Sequence, residues 1–295
     1  MKDIRIALGQ LTCLVGDLEG NLAKHCEFTR MAAREGAEII CFPESSLTGY
    51  PKYEDKKMKE HAQSVDDPLA FALADLSKET GLTVLAGIIE VGDQVVYNTQ
   101  LVADAGRIVG VYRKTHIAES EAIFFASGGD LPVFSHSSAK YGVQICYDNH
   151  FPEAARTLAL RGAEIIFCPY ASPGPCTQLG YEAKQARWLR YQTARAFDNS
   201  VYMCLVNQVG ECGYTKKLKR PIESTPEDTH PDLLGEFPGG SMVLDPWGNV
   251  VARAKPEVED LLIVDLEAAT LYQKREDSLN FFTRYRRPDL YGELC

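Results

Sequence analysis

Positive charge is scarce in this sequence. The 295-residue chain has 31 lysines and arginines against 41 aspartates and glutamates, which gives it a net charge of −10. Nucleic acids and anionic membrane surfaces are recognised through basic faces that displace counterions. We therefore expect no nucleic-acid partner and no membrane partner, and a small molecule is the more natural ligand.

Long apolar runs are missing as well. No stretch approaches the ~20 consecutive apolar residues that a membrane-spanning helix requires. A signal peptide has an unbroken apolar stretch followed by small residues, whereas residues 1–8 intersperse charged with apolar side chains. This start is typical of a first β-strand, and we expect a cytoplasmic protein.

Cysteine pairs of the Cys-x-x-Cys type are absent. The nine cysteines form an odd number, and several lie in apolar runs such as residues 39–42 and 166–168, where cysteine behaves as a small buried hydrophobe. The six histidines show no metal-ligand spacing with cysteines or carboxylates. The sequence therefore predicts neither a disulfide scaffold nor a structural zinc site.

The chain does contain an internal repeat. Residues 33–46 and 159–172 share the run Gly-Ala-Glu-Ile-Ile, followed after two residues by a proline. Each is typical of a helix end, a glycine just past it, a strand buried on both faces and a proline that ends the strand. Residues 101–109 and 242–251 then each show the pattern of a β-hairpin. One helix–strand–hairpin module thus occurs twice, which predicts two sheets face to face with helices outside.

Two segments fall outside this module. Residues 213–238 combine clustered lysines, prolines and acids with little periodicity, which predicts a long loop of the kind that often forms a lid or a mobile insertion. The polar and aromatic tail from about residue 266 is typical of an arm that packs on another surface. The sequence therefore predicts a single domain over residues 1–295, with a long loop and a C-terminal arm.

Three short segments stand out, each at a predicted strand end. Glu44 lies just past an apolar strand and Lys114 ends a hairpin strand, although each alone is also typical of surface charge. Cys146 ends a strand where a helix starts near Pro152. It is the one cysteine followed by polar, turn-forming residues, and backbone N–H groups at such a turn favour a thiolate and an oxyanion. A buried structural cysteine remains the alternative on this local evidence.

Together these segments resemble the carbon–nitrogen hydrolase family, also called the nitrilase superfamily. The resemblance runs from Ile4 to residues 286–291, and three motifs carry it in family order. They are Phe42-Pro43-Glu44 followed by Leu47-Thr48-Gly49-Tyr50, then Tyr112-Arg113-Lys114-x-His116, then Cys146-Tyr147-Asp148-x-x-Phe151-Pro152-Glu153. Each motif is weak alone, but three in order at family-like spacing are specific.

The resemblance implies an α/β fold, a four-layer α-β-β-α sandwich of two mixed sheets, in agreement with the repeat. It also implies a Glu-Lys-Cys triad at Glu44, Lys114 and Cys146, with a second glutamate beside the lysine that Glu121 fits better than Glu119. In such a site Glu44 takes the thiol proton, Cys146 forms an acyl-enzyme, and Lys114 with a backbone N–H holds the oxyanion. No metal or organic cofactor is needed.

The residues after the nucleophile bear on the substrate. Nitrilases of the family usually have Trp-Glu there, whereas Tyr147-Asp148 is similar to amidases and N-carbamoyl hydrolases, which favours a linear carboxamide or ureido substrate that releases ammonia. Relatives that bind N-carbamoyl amino acids often place arginines next. Asp148, Asn149 and His150 occupy these positions here and weaken the case for an acidic substrate, although Arg187 or a lysine of the 213–238 loop could take the place of such an arginine. The expected pocket walls are the 213–238 loop and Tyr50, Tyr53, Tyr147, Asn149, His150, Tyr170 and Ala171.

Three alternatives stay open at this point. The same triad could hydrolyse nitriles, or Cys146 and His150 could form a papain-like pair, although Pro152 makes the segment between them a turn. The third alternative is a non-catalytic protein that kept the fold. The competent residues at all four expected catalytic positions argue against it. The family usually forms dimers or larger assemblies, so the resemblance also implies a homodimer or a higher homo-oligomer.

Overall fold

A computed structural model gives the architecture and describes residues 1–50, 59–119, 121–211 and 236–294. Tyr53 and most of the predicted loop at 213–238 lie outside the described residues. The described residues form five α-helices. They are α1 (Leu18–Arg34), α2 (Pro68–Thr80), α3 (Pro152–Leu160), α4 (Gln178–Asn199) and α5 (Ala268–Glu276).

The first sheet contains six strands. They are β1 (Ile4–Gln10), β2 (Ile39–Cys41), β3 (Thr83–Val91), β4 (Val96–Asp104), β5 (Arg107–Arg113) and β14 (Asp260–Leu266). Their order across the sheet is β14-β1-β2-β3-β4-β5, with β1, β2 and β3 parallel and the others antiparallel to their neighbours. The sheet is therefore mixed.

The second sheet also contains six strands. They are β6 (Val133–Ser135), β7 (Lys140–Val143), β8 (Ile165–Tyr170), β9 (Tyr202–Asn207), β12 (Met242–Leu244) and β13 (Val250–Arg253). Their order is β13-β12-β9-β8-β7-β6, again with a parallel centre of β7, β8 and β9. Read from the other edge, β6-β7-β8-β9-β12-β13 matches β14-β1-β2-β3-β4-β5 strand by strand. This match confirms the predicted duplication and its two mixed sheets.

The repeated sequence run produces the same local geometry in both halves. Gly36 and Gly162 have φ angles of 77° and 98° just past α1 and α3, a backbone conformation that favours glycine. After each glycine a backbone N–H returns to the helix, from Ala37 to the Ala32 carbonyl and from Ala163 to the Leu158 carbonyl, both at 3.0 Å. The chain then enters β2 or β8 in the same direction.

Two details of the predicted elements are wrong. The second repeat's proline, Pro169, lies inside β8 rather than ending it. The strand β7 pairs with β8 only as far as Phe167, so the missing N–H of Pro169 lies beyond that ladder. The last three residues of the predicted loop form a strand, β11 (Glu236–Pro238), which pairs antiparallel with β10 (Val209–Glu211).

Alternate residues of the central strands divide the core into layers. In β2, Ile39 and Cys41 pack between the sheets against residues such as Ile165 and Phe167 of β8. Ile40 points the other way, into a cluster with α1 and α2, and a third cluster packs α3 and α4 on the second sheet. Helices thus cover both outer faces, and the predicted α-β-β-α sandwich is confirmed.

The chain after β14 leaves the sheets. Helix α5 buries Leu271 and Lys274 against the body, and the Lys274 ammonium lies 3.4 Å from the centre of the Phe197 ring. Beyond it only short 3-10 turns follow, with Leu279, Tyr285 and Leu290 largely exposed. Among the described helices, none has both the length and the apolar character that crossing a membrane requires.

Candidate active site

Three loops meet beyond the carboxyl ends of β2, β5 and β7, where the two sheets face each other. Glu44 follows β2, Lys114 follows β5, and Cys146 follows β7. Two non-glycine residues in these loops adopt the left-handed region, Ser45 with φ of 50° and Cys146 with φ of 46°. Such conformations persist only where the surrounding structure over-determines them, and they concentrate at functional sites.

A close backbone approach fixes the Glu44 loop. A Cβ atom on Gly87 of β3 would lie 2.2 Å from the backbone nitrogen of Ser45, so only glycine fits there. Ser46 continues the contact, because its hydroxyl accepts from the Gly87 N–H at 3.2 Å. The carbonyl of Glu44 accepts from Gln208 Nε2 at 3.0 Å. The carboxylate therefore starts from a rigid backbone.

Lys114 lies between two carboxylates in a fully buried position. Its Nζ donates to Glu44 Oε1 at 2.9 Å and to Glu121 Oε2 at 2.9 Å, with Glu121 Oε1 at 3.2 Å. Neither glutamate is more than 6% exposed. Burial by itself lowers the pKa of Lys114, but attraction by Glu44, Glu121 and the sulfur of Cys146 outweighs it and raises that pKa well above its ordinary value. Lys114 is therefore a permanent cation at neutral pH.

The Glu44 carboxylate has two further donors. Asn98 Nδ2 of β4 donates to Oε1 at 2.7 Å, and the backbone N–H of Ala171 donates to Oε2 at 2.7 Å. The Asn98 carbonyl also accepts from the backbone N–H of Lys114 at 2.8 Å. Asn98 thus ties the glutamate loop to the lysine segment, and four donors from three other residues hold the Glu44 carboxylate and its neighbour in place.

Glu121 is held on its far side by Tyr50. The Tyr50 hydroxyl donates to Glu121 Oε1, and the ring is 2% exposed. Burial, followed by the negative charges of Glu121 and Glu44, raises the pKa of Tyr50 well above its ordinary value. The phenol therefore keeps its proton and remains a donor to the carboxylate.

The candidate nucleophile begins a 3-10 helix. This helix spans Cys146–His150, and α3 starts directly afterwards at Pro152, as the sequence predicts. The Cys146 side chain is half-buried, whereas Cys13, Cys41, Cys168 and Cys204 are buried. Burial raises the pKa of the Cys41 and Cys168 thiols well above their ordinary value, which makes them poor nucleophiles. Cys146 combines partial exposure with a position at the start of a 3-10 helix.

Several predicted pocket residues lie behind the site instead of facing it. Asn149 is fully buried, donates to the carbonyls of Gln144 and Cys146 at 3.1 and 3.0 Å, and accepts from Gln192 Nε2 at 2.9 Å. The Tyr170 ring stacks on Trp188 at 4.3 Å. These two side chains support the turn from below, and the described contribution of Ala171 is its backbone N–H to Glu44.

Two predicted pocket residues lie on the exposed side of the turn. Tyr147 is 37% exposed and its ring lies 5.2 Å from that of His150. The His150 ring also lies 4.8 Å from the Tyr191 ring. Burial, and then the charges of Arg187 and Arg195, lower the pKa of His150, so its imidazole is neutral at pH 7. These rings form an aromatic edge beside Cys146.

Sequence reasoning missed two residues of this site. Asn98 carried one signal, because it is the first of three consecutive polar residues in the strand Val96–Asp104, which is buried over most of its length. Asp148 was noted only for the substrate class, yet it is fully buried and bound by five donors. Over the described part of the chain, no group of three or more His, Cys, Asp or Glu side chains could hold a metal ion.

Proteins of several organisms are similar to this chain over nearly its whole length. The sequence pattern of the carbon–nitrogen hydrolase family matches residues 5–276. The chain is 31% identical over 302 residues to the citrullinase of Francisella tularensis, covering 100% of this chain and 99% of that protein. It is 31% identical over 305 residues to the N-carbamoylputrescine amidase of Arabidopsis thaliana, covering 99% and 95%. It is 28% identical over 290 residues to the nitrilase of Pyrococcus abyssi, covering 98% of this chain and 99% of that protein.

Solved structures show the same fold. An alanine-for-cysteine mutant of the amidase from Nesterenkonia superposes with a TM-score of 0.74 at 23% identity, covering 99% of this chain and 97% of that one. Another structure of that amidase, with a TM-score of 0.71 at 24% identity and coverage of 94% and 95%, shows the acetamide moiety of fluoroacetamide covalently added at its active-site cysteine.

Proposed function

The chain belongs to the carbon–nitrogen hydrolase family and is an enzyme that acts on non-peptide C–N bonds, and from this premise we propose that it hydrolyses a linear carboxamide or an N-carbamoyl amine through an acyl-enzyme on Cys146. The observation that carries the proposal is the Lys114 ammonium shared by two buried carboxylates beside the cysteine turn. The covalent adduct on the active-site cysteine of the Nesterenkonia amidase supports it by analogy.

The first half of the proposed reaction forms the acyl-enzyme. Glu44 takes the thiol proton while the sulfur of Cys146 attacks the carbonyl carbon, and the new C–S bond leaves an oxyanion. Lys114 Nζ and the backbone N–H of Tyr147 hold this oxyanion. Because the pKa of Lys114 is raised, the lysine stays charged and donates to the oxyanion instead of acting as a base.

The second half releases the products. The tetrahedral intermediate collapses with cleavage of the C–N bond, and the proton on Glu44 passes to the departing ammonia. Glu44 then accepts a proton from water as that water attacks the thioester, and the thiol of Cys146 is regenerated. Glu121 stays ionised throughout and orients Lys114, with Tyr50 holding its other oxygen.

The substrate class rests on the relatives and on the turn. Two of the relatives are named for N-carbamoylputrescine and citrulline, and both of these compounds carry a ureido group. The residues after Cys146 provide no arginine for a substrate carboxylate, since Asp148 and Asn149 are buried and already hydrogen-bonded. We propose an uncharged or cationic ureido or amide substrate. The Pyrococcus nitrilase supports nitrile hydrolysis as the second candidate.

An ammonia-release screen tests this proposal. Linear carboxamides, ureido amines and nitriles are compared, and carbon dioxide is measured in parallel because carbamoyl cleavage releases both gases while amide cleavage releases ammonia alone. Cys146→Ala and Glu44→Gln should abolish turnover, and Cys26→Ala is the matched control at another half-buried cysteine. Activity on nitriles alone would overturn the preferred substrate, and activity that survives Glu44→Gln but not His150→Ala would favour a papain-like pair.

Cytoplasmic location and a homo-oligomeric state stay predictions from the sequence. Sedimentation at micromolar concentration checks the second one. We expect a dimer or a larger assembly, and a monomer would contradict the expectation.

A further inference from the structure

Asp148 connects the cysteine turn to the lysine segment. It lies two residues after Cys146, its side chain is fully buried, and both carboxylate oxygens are occupied by donors from two parts of the chain. The reaction proposed above assigns no step to it. It touches neither Lys114 nor Glu44 in any hydrogen bond that the structure describes.

One oxygen of Asp148 holds the turn. Oδ2 accepts from the backbone N–H of Ile145, the residue before the nucleophile, at 2.8 Å. The Asp148 N–H returns to the Ile145 carbonyl at 3.0 Å, so the aspartate closes a ring around Cys146. The strained φ angle of Cys146 lies inside this ring. The same oxygen also accepts from the Tyr112 hydroxyl at 2.7 Å.

The other oxygen holds the lysine segment. Oδ1 accepts from the Thr115 hydroxyl at 2.9 Å and from the backbone N–H of His116 at 2.8 Å, and His116 Nδ1 lies 2.9 Å away. The imidazole also stacks on Phe151 at 4.0 Å, at the other end of the cysteine turn. Tyr112, Thr115 and His116 therefore anchor the chain on both sides of Lys114.

From this arrangement we propose that Asp148 is a positioning residue that sets the distance between Lys114 and Cys146, and so the fit of the oxyanion. The proposal rests on the proposed function, because it assumes that Lys114 and the turn hold one oxyanion together. A displacement of about 1 Å between such groups can cost about 100-fold in rate.

The ionised carboxylate is required for this role. All five groups that bond to Asp148 are donors. Four of them are hydroxyl or backbone N–H groups, and Nδ1 of His116 must carry a proton because the carboxylate oxygen that it contacts only accepts. Burial, followed by the negative charge of Asp148, raises the pKa of Tyr112 well above its ordinary value, so its hydroxyl stays a donor. The amide of an asparagine at this position would direct its NH₂ group at donors of the cysteine turn or of the lysine segment. The repulsion between donors would push these two segments apart.

Asp148→Asn therefore tests the proposal without a change in side-chain size. The matched control is Asp245→Asn, because Asp245 is a carboxylate 8% exposed that also accepts from turn N–H groups, those of Trp247 and Asn249, in the distant β12–β13 hairpin. Each variant is assayed for kcat and KM by ammonia release on the best substrate of the wild type. The rate at which iodoacetamide alkylates Cys146 and the thermal midpoint are measured as well.

We expect Asp148→Asn to lower kcat roughly 100-fold with KM changed less than about threefold, because the pocket walls stay in place while the oxyanion donors move apart. Alkylation of Cys146 should slow, and Asp245→Asn should leave both rates near the wild type. If Asp148→Asn does not fold, Thr115→Val and Tyr112→Phe each remove one donor, and each should lower kcat about tenfold.

Three results would overturn the positioning role. They are an unchanged kcat in folded Asp148→Asn, an equal loss in Asp245→Asn, and a rise in KM with kcat intact. Failure of the proposed function itself looks different, because Cys146→Ala would then keep its activity with Asp148 in place.

Discussion

The stability of this protein should fall between pH 6.5 and pH 4 because of one buried histidine. His25 of α1 is fully buried, its Nδ1 lies 2.7 Å from the Asn21 carbonyl, and its Nε2 lies 2.8 Å from the Ser46 hydroxyl. The carbonyl only accepts, so Nδ1 carries the proton and Nε2 accepts from Ser46. Protonation of Nε2 would break this hydrogen bond as it stands and place a positive charge in a fully buried position next to Ser46, which lies two residues after Glu44.

The size of the effect follows from the pKa. Burial, partly offset by the hydrogen bond to Asn21 and reinforced by Lys24, lowers the pKa of His25 from 6.5 to about 4. The unfolded chain therefore binds a proton that the folded chain does not bind in this pH window. Stability is complete above pH 6.5 and is lost as the pH falls toward 4, by about 3 kcal/mol at 1.36 kcal/mol per pH unit.

Urea unfolding at several pH values measures this loss. The free energy of unfolding of the wild type is compared at each pH with that of His25→Gln, which cannot titrate at this position. All other titrating groups are common to both proteins, so their contributions cancel in the difference between the two free energies. We expect the difference to shift by about 3 kcal/mol in favour of the variant between pH 7 and pH 4. A difference that stays constant over this range would refute a neutral, buried His25.

Two further predictions concern the site and the core. Glu121→Gln removes one of the negative charges that raise the pKa of Lys114, while the burial that lowers this pKa remains. We therefore expect kcat to fall about 100-fold and the alkaline limb of the pH profile to move to lower pH. An alkaline limb that does not move would contradict the pairing of Glu121 with Lys114. Phe167→Ala, in the core between the sheets, should cost about 3–5 kcal/mol in urea unfolding, whereas Phe71→Ala, 55% exposed on α2, should change stability by less than about 0.5 kcal/mol. Similar losses in both variants would contradict this placement of the core.

The sequence was informative where the interactions are local. The helix end, the glycine and the buried strand of residues 33–46 recur in residues 159–172, and a repeat of local signals correctly predicts a repeat of the sheet. Three motifs identify the candidate catalytic segments, and the structure brings Glu44, Glu121 and Lys114 into direct contact.

The features that were missed depend on contacts between distant segments. Asn98 reaches Glu44 across 54 positions, and Asp148 reaches Thr115 across 33. The strand at 236–238 exists because residues 209–211 pair with it, which no local pattern records. The sequence predicts Asn149 and Tyr170 as pocket walls, but partners in α4 hold both side chains beneath the turn.

The charges around Lys114 explain why the proposed reaction needs both glutamates. The proposed reaction starts from one ammonium between two carboxylates, with the proton still on the thiol, so the cluster then holds one excess negative charge. When Glu44 takes the thiol proton, its charge disappears as the oxyanion appears, and Lys114 exchanges one anionic partner for another. Negative charge therefore moves without accumulating, while Glu121 keeps the ammonium in place during the exchange. With a single glutamate, Lys114 would lose its anchor at the moment when the oxyanion forms.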